Sequence, residues 1–230
     1  MLVVTGGPWK SGQKTELIDL GSPNINCDLP DFPIQVDGAV GFNSVNGQTI
    51  CGGRTSDGMN ECFNLNSDHQ WESLTSMTTT RLFASVTQID SDEVLITGGI
   101  DEAATDLKST EIISSSGSEA SEDLTFTIWG HCTQKINETT ALICGGTQNG
   151  QDNSDATWFM DLITFKIQEG PRLQTGRLGH GCATLNLDDK NYVIITGGAQ
   201  RKPEYKVLDT TEILDLQDLQ TKNPIWKPGK

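Results

Sequence analysis

Residues 94–99, VLITGG, form a short apolar run that ends in two glycines, and the chain repeats this pattern five times. The other copies are LVVTGG (2–7), QTICGG (48–53), ALICGG (141–146) and VIITGG (193–198). The second glycines of successive copies are 46, 46, 47 and 52 residues apart. An aliphatic run without alternation is typical of a strand buried on both faces. A period of this length is typical of propeller blades.

Each copy is surrounded by the same set of predicted strands. A second strand follows each glycine pair after a polar loop; it starts at Thr15, Asn60, Ser109, Ala156 and Thr210. One position in this strand is glutamate in units one, two, three and five and tryptophan in unit four. In chain order these residues are Glu16, Glu61, Glu111, Trp158 and Glu212. A third strand carries Trp71 or Trp226, and a fourth precedes the next glycine run. Four strands predict one antiparallel sheet per unit, which buries both faces only if the sheets stack radially. A glutamate that recurs in most units is expected to bond backbone between blades rather than to catalyse.

With these residues in view, the chain resembles the kelch-repeat family of β-propellers. The resemblance covers nearly all 230 residues and includes an Arg…His step at Arg177 and His180, with Arg81 in the same position of another unit. It predicts an all-β, kelch-type propeller of five four-stranded repeats in one domain. The repeat units span approximately residues 1–36, 37–80, 81–128, 129–176 and 177–230.

The number of predicted strands allows two interpretations of how the ring closes. Five glycine strands are present, but only four inner strands precede them. The family commonly closes its ring with one blade that takes strands from both ends of the chain, which favours an incomplete ring, a fragment of a larger propeller. The alternative is a complete five-bladed ring with one three-stranded blade. In unit three, the polar stretch 117–125 has no core positions and is interpreted as a mobile surface excursion.

Charge and hydropathy exclude two classes of partner. The formal net charge is −15, with 31 acidic and 16 basic residues and no basic block. Nucleic acid is therefore not an expected partner, because phosphate binding needs clustered positive charge. No apolar run approaches the roughly 18 residues that a membrane span requires. The first residues enter a buried strand directly, without the pattern of a signal peptide.

Six cysteines allow two redox states. Cys51 and Cys144 stand where other units have threonine before the glycine pair, which suits a small buried thiol. Alternatively, Cys51 pairs with Cys62 across one loop, and Cys132 pairs with Cys144 across one hairpin turn. That turn contains the sequence Asn137-Glu138-Thr139, a sequon for N-glycosylation. Disulfides and a glycan together favour an extracellular, secreted protein, and free thiols favour a cytoplasmic one.

The sequence does not support a cofactor or a catalytic motif. His69, His131 and His180 fall in different units and no cysteines have C-x-x-C spacing, so zinc is not expected. An oxidase with kelch-like blades holds copper with tyrosine and histidine, but this chain has only Tyr192 and Tyr205. Asp152, Asn153 and Asp155 offer oxygen atoms without the order of a calcium loop. No nucleophile elbow is present.

The function predicted from these observations is a non-enzymatic scaffold that binds a protein partner through the loops on one propeller face. Variable loops on a rigid scaffold commonly carry binding residues. The candidates are the basic and aromatic residues of the loops that follow the glycine strands of units one, two and five. They are Trp9, Lys10, Lys14, Arg54, Arg201, Lys202 and Lys206. An acidic protein or an anionic carbohydrate is the partner that these residues favour. The alternative is a carbohydrate- or ion-binding propeller, or an oxidase-like enzyme, with a site at the central opening.

Overall fold

The computed structural model describes residues 2–5, 13–18, 29–45, 47–54, 60–220 and 224–229. Over this part of the chain the structure is all-β, apart from one 3-10 turn at Asp218–Gln220. Four four-stranded antiparallel sheets form the blades of a propeller-like ring. We number the blades 2 to 5, after the sequence unit that forms each. No helix in the described residues is long and apolar enough to cross a membrane.

The strands of each blade follow one another from the inside of the ring outward. Unit one contributes a two-stranded sheet of β1 (Leu2–Thr5) and β2 (Thr15–Ile18). Blade 2 contains β3 (Val40–Ser44), β4 (Gly47–Cys51), β5 (Cys62–Leu65) and β6 (Trp71–Ser73). Blade 3 contains β7 (Ser85–Gln88), β8 (Val94–Thr97), β9 (Thr110–Ser114) and β10 (Gly117–Ala120).

The remaining blades have the same order. Blade 4 contains β12 (Cys132–Asn137), β13 (Thr140–Cys144), β15 (Thr157–Asp161) and β16 (Ile167–Glu169). Blade 5 contains β17 (Gly181–Leu187), β18 (Lys190–Thr196), β21 (Thr211–Asp215) and β22 (Lys227–Pro228). Short pairs extend the loops after two glycine strands: β11 (Ile128–Trp129) with β14 (Thr147–Gln148), and β19 (Ala199–Gln200) with β20 (Lys206–Val207).

The apolar core lies between the blades. The innermost strands are neighbours in the order β3, β7, β12 and β17. The glycine strands β8 and β13 are buried along almost their whole length, as their unalternating aliphatic sequences predict. Each interface has its own cluster; that between blades 3 and 4 contains Leu95, Ile128 and Ile143. Blade 5 differs, because Leu185 and Leu187 in β17 remain exposed and Ile194 in β18 is half-buried.

Two predictions about the repeats are corrected by the strand pairing. Gly117–Ala120 of the predicted excursion is the outer strand of blade 3, and Leu124 beyond it is buried. Its sequence is polar because one side of an outermost strand faces solvent. In unit two, the glutamate slot is occupied by Phe63 and not by Glu61, since Phe63 pairs with Ile50 as Glu111 pairs with Ile96.

The predicted disulfides are also partly corrected. Cys51 and Cys62 form a disulfide between directly opposed residues, with a Cα–Cα distance of 4.1 Å. Cys132 does lie opposite Cys144, but its disulfide partner is Cys182 in blade 5, and Cys144 is a buried free thiol. Gly145 N donates to Ala156 O, just before β15. The backbone N–H and C=O of the preceding residue, Cys144, therefore point the other way, toward β12. Cys132 and Cys144 are therefore a hydrogen-bonded pair, whereas Cys51 and Cys62 are a non-hydrogen-bonded pair, in which the Cα atoms lie closer together.

Candidate functional site

A ladder of backbone hydrogen bonds connects the residues that lead into the innermost strands. Phe83 N donates to Gly38 O at 2.9 Å, Gly130 N to Phe83 O at 2.8 Å, and Gly179 N to Gly130 O at 2.7 Å. These four residues occupy equivalent positions in blades 2 to 5, and all have positive φ, between 52° and 70°. The ladder therefore forms the rim of the central opening, on the same side as the loops that follow the glycine strands.

Phe83 is the exception in this rim, because the other three positions are glycine. Its φ of 52° places a bulky residue in the left-handed region, which costs about 1–2 kcal/mol. The ring lies over Gly38, where a Cβ atom would come within 2.9 Å of Phe83 Cε1. The side chain is nevertheless 37% exposed. Its position thus combines backbone strain with an exposed aromatic surface.

Trp129, which is buried at 8% exposure, and the exposed Arg201 connect Phe83 to blades 4 and 5. The rings of Phe83 and Trp129 have centroids 6.1 Å apart and are tilted by 41°. The guanidinium carbon of Arg201 lies 4.8 Å from the centroid of Trp129, within the range of a cation–π interaction. We call Phe83, Trp129 and Arg201 the rim patch.

The loops of units four and five hold Arg201 in place. Asn153, which has a φ of 61°, accepts a hydrogen bond from Arg201 N at 2.6 Å and donates one to Lys202 O at 2.8 Å. Asp152 lies 3.1 Å from Lys202 Nζ and 3.9 Å from Arg201 Nη1. The acidic loop of unit four therefore orders the basic loop of unit five and offsets part of its charge.

The other predicted binding residues do not join the rim patch. Lys14 forms an ion pair with Asp31 at 2.8 Å within unit one. Arg54 is exposed and pairs through its backbone with Asp37. Lys206 is exposed in β20. Trp9 and Lys10 lie outside the described residues.

The glutamate slot and the arginine of the Arg…His step form a buried structural pair. In blade 5, Arg177 contacts Glu212 and also donates to Gly197 O and Thr210 O, each at 3.0 Å. In blade 3, Arg81 contacts Glu111 in the same way, and burial lowers the pKa of Arg81 while Glu111 opposes that shift. Glu212 also accepts hydrogen bonds from Gln174 N and Thr175 N, so the pair joins the linker to the blade.

Blades 2 and 4 replace both members of this pair with apolar residues. Val36 and Phe63 occupy the two slots in blade 2 and share one apolar cluster. Ile128 and Trp158 occupy them in blade 4, also within one cluster. Within each of blades 2 to 5, the two positions are therefore either both charged or both apolar. This is expected because an unpaired buried charge is strongly destabilising.

Two histidines precede the inner strands of blades 4 and 5. His131 Nε2 lies 2.8 Å from Thr97 Oγ1. Burial lowers the pKa of His131 to about 3, with a contribution from His180, and burial together with Arg177 lowers the pKa of His180 to about 4. Both imidazoles are consequently neutral at physiological pH. Within the described part of the chain, no three histidine, cysteine, aspartate or glutamate residues are placed to hold a metal ion.

No protein-family model matches this chain, and the search of curated proteins found no significant match. The rim patch therefore rests on the geometry of this chain. Sequence reasoning missed Phe83 because an aromatic residue between Leu82 and Ala84 looks like part of a strand entry. Its signal was positional: the equivalent residues in units two, four and five are all glycine.

Proposed function

We propose that this chain is a non-enzymatic, kelch-type binding scaffold that recognises a protein partner through the loop face of its propeller. The observation that carries the proposal is the position of Phe83, which keeps an exposed ring at a positive φ. Strained backbone persists where the surroundings hold it, and it is concentrated at ligand-binding and switch positions.

The chemistry of the rim patch fits the centre of a protein interface. Arginine is enriched among the residues that lose most binding energy on truncation, and the exposed ring of Phe83 supplies apolar contact area. Arg201 presents its charge beside the ring of Trp129, while Asp152 and Asn153 fix its loop. A partner that offers an apolar side chain next to a carboxylate matches this arrangement. The kelch assignment is supported by the equivalence of the glycine pairs and of the Arg and Glu slots between blades.

The proposal is tested by affinity capture with a matched pair of variants. Phe83→Gly removes the ring and leaves a residue that adopts the observed φ without strain. Val45→Ser removes an aliphatic side chain that is 58% exposed in the turn between β3 and β4, at the opposite end of its blade. We expect Phe83→Gly to reduce captured partner more than tenfold and Val45→Ser to leave it unchanged. Equal capture by Phe83→Gly and wild type would reject the rim patch as the binding surface.

We further propose an extracellular setting with a glycan at Asn137. Disulfides persist in oxidising compartments, and Cys51–Cys62 and Cys132–Cys182 supply two. Asn137 is exposed at the end of β12, next to the turn that leads into β13, and its Oδ1 accepts a hydrogen bond from Thr139 N at 3.0 Å. Expression through a secretory pathway should give a product whose mass falls after glycosidase treatment. Asn137→Gln should abolish that difference, and an unglycosylated wild-type product would refute the site.

A further inference from the structure

The interface between blades 4 and 5 contains three cysteines but only one disulfide. Cys132 in β12 is bonded to Cys182 in β17, with their Cα atoms 6.2 Å apart. Cys144, at the end of β13, is a free thiol with no exposed surface. This interblade bond ties the last described blade to its neighbour, and a third sulfur lies at the same interface.

Strand register places Cys144 beside the disulfide. Cys132 and Cys144 are directly opposed in blade 4, so their side chains emerge on the same face of the sheet. That face packs against blade 5, where Cys182 pairs with Ile195, which in turn pairs with Glu212. Cys144 and Ile195 belong to one apolar cluster, and Cys182 packs against it. Opposed residues of an antiparallel pair lie within the Cα separation that a disulfide requires.

We propose that these three cysteines form a thiol–disulfide switch, in which Cys144 displaces Cys182 as the disulfide partner of Cys132. The thiolate of Cys144 attacks Sγ of Cys132 and forms the Cys132–Cys144 bond. The Cys132–Cys182 bond breaks, and Cys182 leaves as a thiolate that takes up a proton equivalent to the one lost by Cys144. One disulfide and one thiol are present before and after the step, so no oxidant or reductant is consumed.

The two states differ in how blade 5 is held. In the observed state the disulfide crosses from blade 4 to blade 5, whereas after exchange it lies entirely within blade 4. Blade 5 also has an incompletely covered outer face, where Leu185 is exposed and Tyr192 and Ile213 are half-buried. Among the described contacts, packing against blade 4 and the Cys132–Cys182 disulfide hold blade 5, and exchange would remove the disulfide.

Burial keeps the switch in its observed state while the blades are packed. Burial, with a smaller contribution from Glu212, raises the pKa of Cys144 well above its ordinary value, so little thiolate is present. Separation of blade 5 from blade 4 hydrates Cys144 and removes this effect. Exchange is therefore expected only after the interface between blades 4 and 5 opens. A Cys132–Cys144 disulfide would then indicate that this interface has opened.

The second disulfide is a matched control within the same molecule. Cys51 and Cys62 lie within blade 2, and both are fully buried. Among the described residues no third cysteine lies in that blade; Cys27 is outside the described ranges. Conditions that open only the interface between blades 4 and 5 should leave Cys51–Cys62 unchanged. Global unfolding should scramble both disulfides.

The experiment is disulfide mapping of the whole chain in a glutathione buffer over graded urea. Samples are quenched with acid and alkylated, and trypsin then separates the three cysteines by cleavage after Lys135 and Arg177. Below the urea concentration that scrambles Cys51–Cys62, we expect a Cys132–Cys144 linkage in at least a tenth of the chains, with Cys182 alkylated. Cys144→Ser should retain only the Cys132–Cys182 linkage.

A second variant tests whether the new pair is within reach. Cys182→Ser, folded and then oxidised, should form Cys132–Cys144 while Cys51–Cys62 stays intact. The proposal is overturned if wild type shows no Cys132–Cys144 linkage until Cys51–Cys62 also scrambles. It is equally overturned if Cys132 and Cys144 remain free thiols in Cys182→Ser.

Discussion

Arg177 Nη2 donates to Glu212 Oε1 at 2.9 Å, and both side chains are at most 4% exposed. The same carboxylate accepts hydrogen bonds from Gln174 N at 2.7 Å and from Thr175 N at 3.0 Å. The pair thus fastens the linker that leads into blade 5 to the third strand of that blade. Arg81 and Glu111 repeat the contact in blade 3.

Removal of one partner should destabilise the protein strongly. Glu212→Gln or Arg177→Met leaves a buried group of the pair uncompensated, and we expect a loss of about 3–5 kcal/mol in the free energy of unfolding. Urea unfolding measures the loss directly. The exposed pair of Lys108 and Asp123 is the control, since Lys108→Ala should change stability by less than about 1 kcal/mol.

The apolar blades suggest the matching double variant. Arg177→Ile with Glu212→Trp copies the residues at 128 and 158 of blade 4 into blade 5. We expect this double variant to lose less stability than the sum of Arg177→Ile and Glu212→Trp, because neither charge is left alone. Strict additivity would show that the two slots are energetically independent.

Substitution of the first glycine of a pair should destabilise the protein more where the next blade packs against that glycine. A Cβ at Gly145 would lie 2.6 Å from Arg177 O, whereas the nearest atom to a Cβ at Gly197 is Leu208 O at 3.7 Å. Both glycines have positive φ, so each alanine variant should lose about 1 kcal/mol of folding stability through backbone strain. Gly145→Ala also pays for the overlap with blade 5 and should cost about 3 kcal/mol in total. Equal thermal midpoints for the two variants would contradict the packing of blade 5 against Gly145.

Phe83 should reveal its backbone strain through two substitutions. Phe83→Ala and Phe83→Gly both remove the ring, but only glycine adopts a φ of 52° without strain. We expect Phe83→Gly to be more stable than Phe83→Ala by about 1 kcal/mol in urea unfolding. Gly179→Ala gives the reciprocal measurement, because its Cβ meets no atom within 4 Å and its φ is 64°. That variant should lose a similar amount, and a stabilising effect would contradict the strained geometry of the rim.

Stability should fall as the pH drops below about 6.5. His131 and His180 have folded-state pKa values of about 3 and about 4, so between pH 6.5 and 4 the unfolded chain binds more protons than the folded one. Each histidine should remove about 2 kcal/mol between pH 7 and pH 4.5. His131→Gln should lower the pH dependence by roughly half. A flat profile in wild type would show that folding does not lower the pKa of either imidazole.

The sequence by itself determined the strands and their repetition. Paired glycines after an aliphatic run require positive φ and close backbone contact, and both requirements act within a few residues. The positions of the glycine strands and the strand order within each sheet were therefore predictable. The sequence predicted five four-stranded repeats, and the described residues form four four-stranded blades and the two-stranded sheet of unit one.

Only the tertiary structure decided which distant residues meet. Alignment by residue type placed Glu61 in a slot that hydrogen bonding gives to Phe63, a shift of two residues that keeps the same sheet face. Cys132 had Cys144 opposite in sequence register, but its bond goes to Cys182, 50 residues away in the next blade. The contact of Trp129 with Arg201 likewise depends on how two loops pack across neighbouring blades. Local sequence patterns fix φ and strand register, whereas contacts between blades depend on packing that no single repeat encodes.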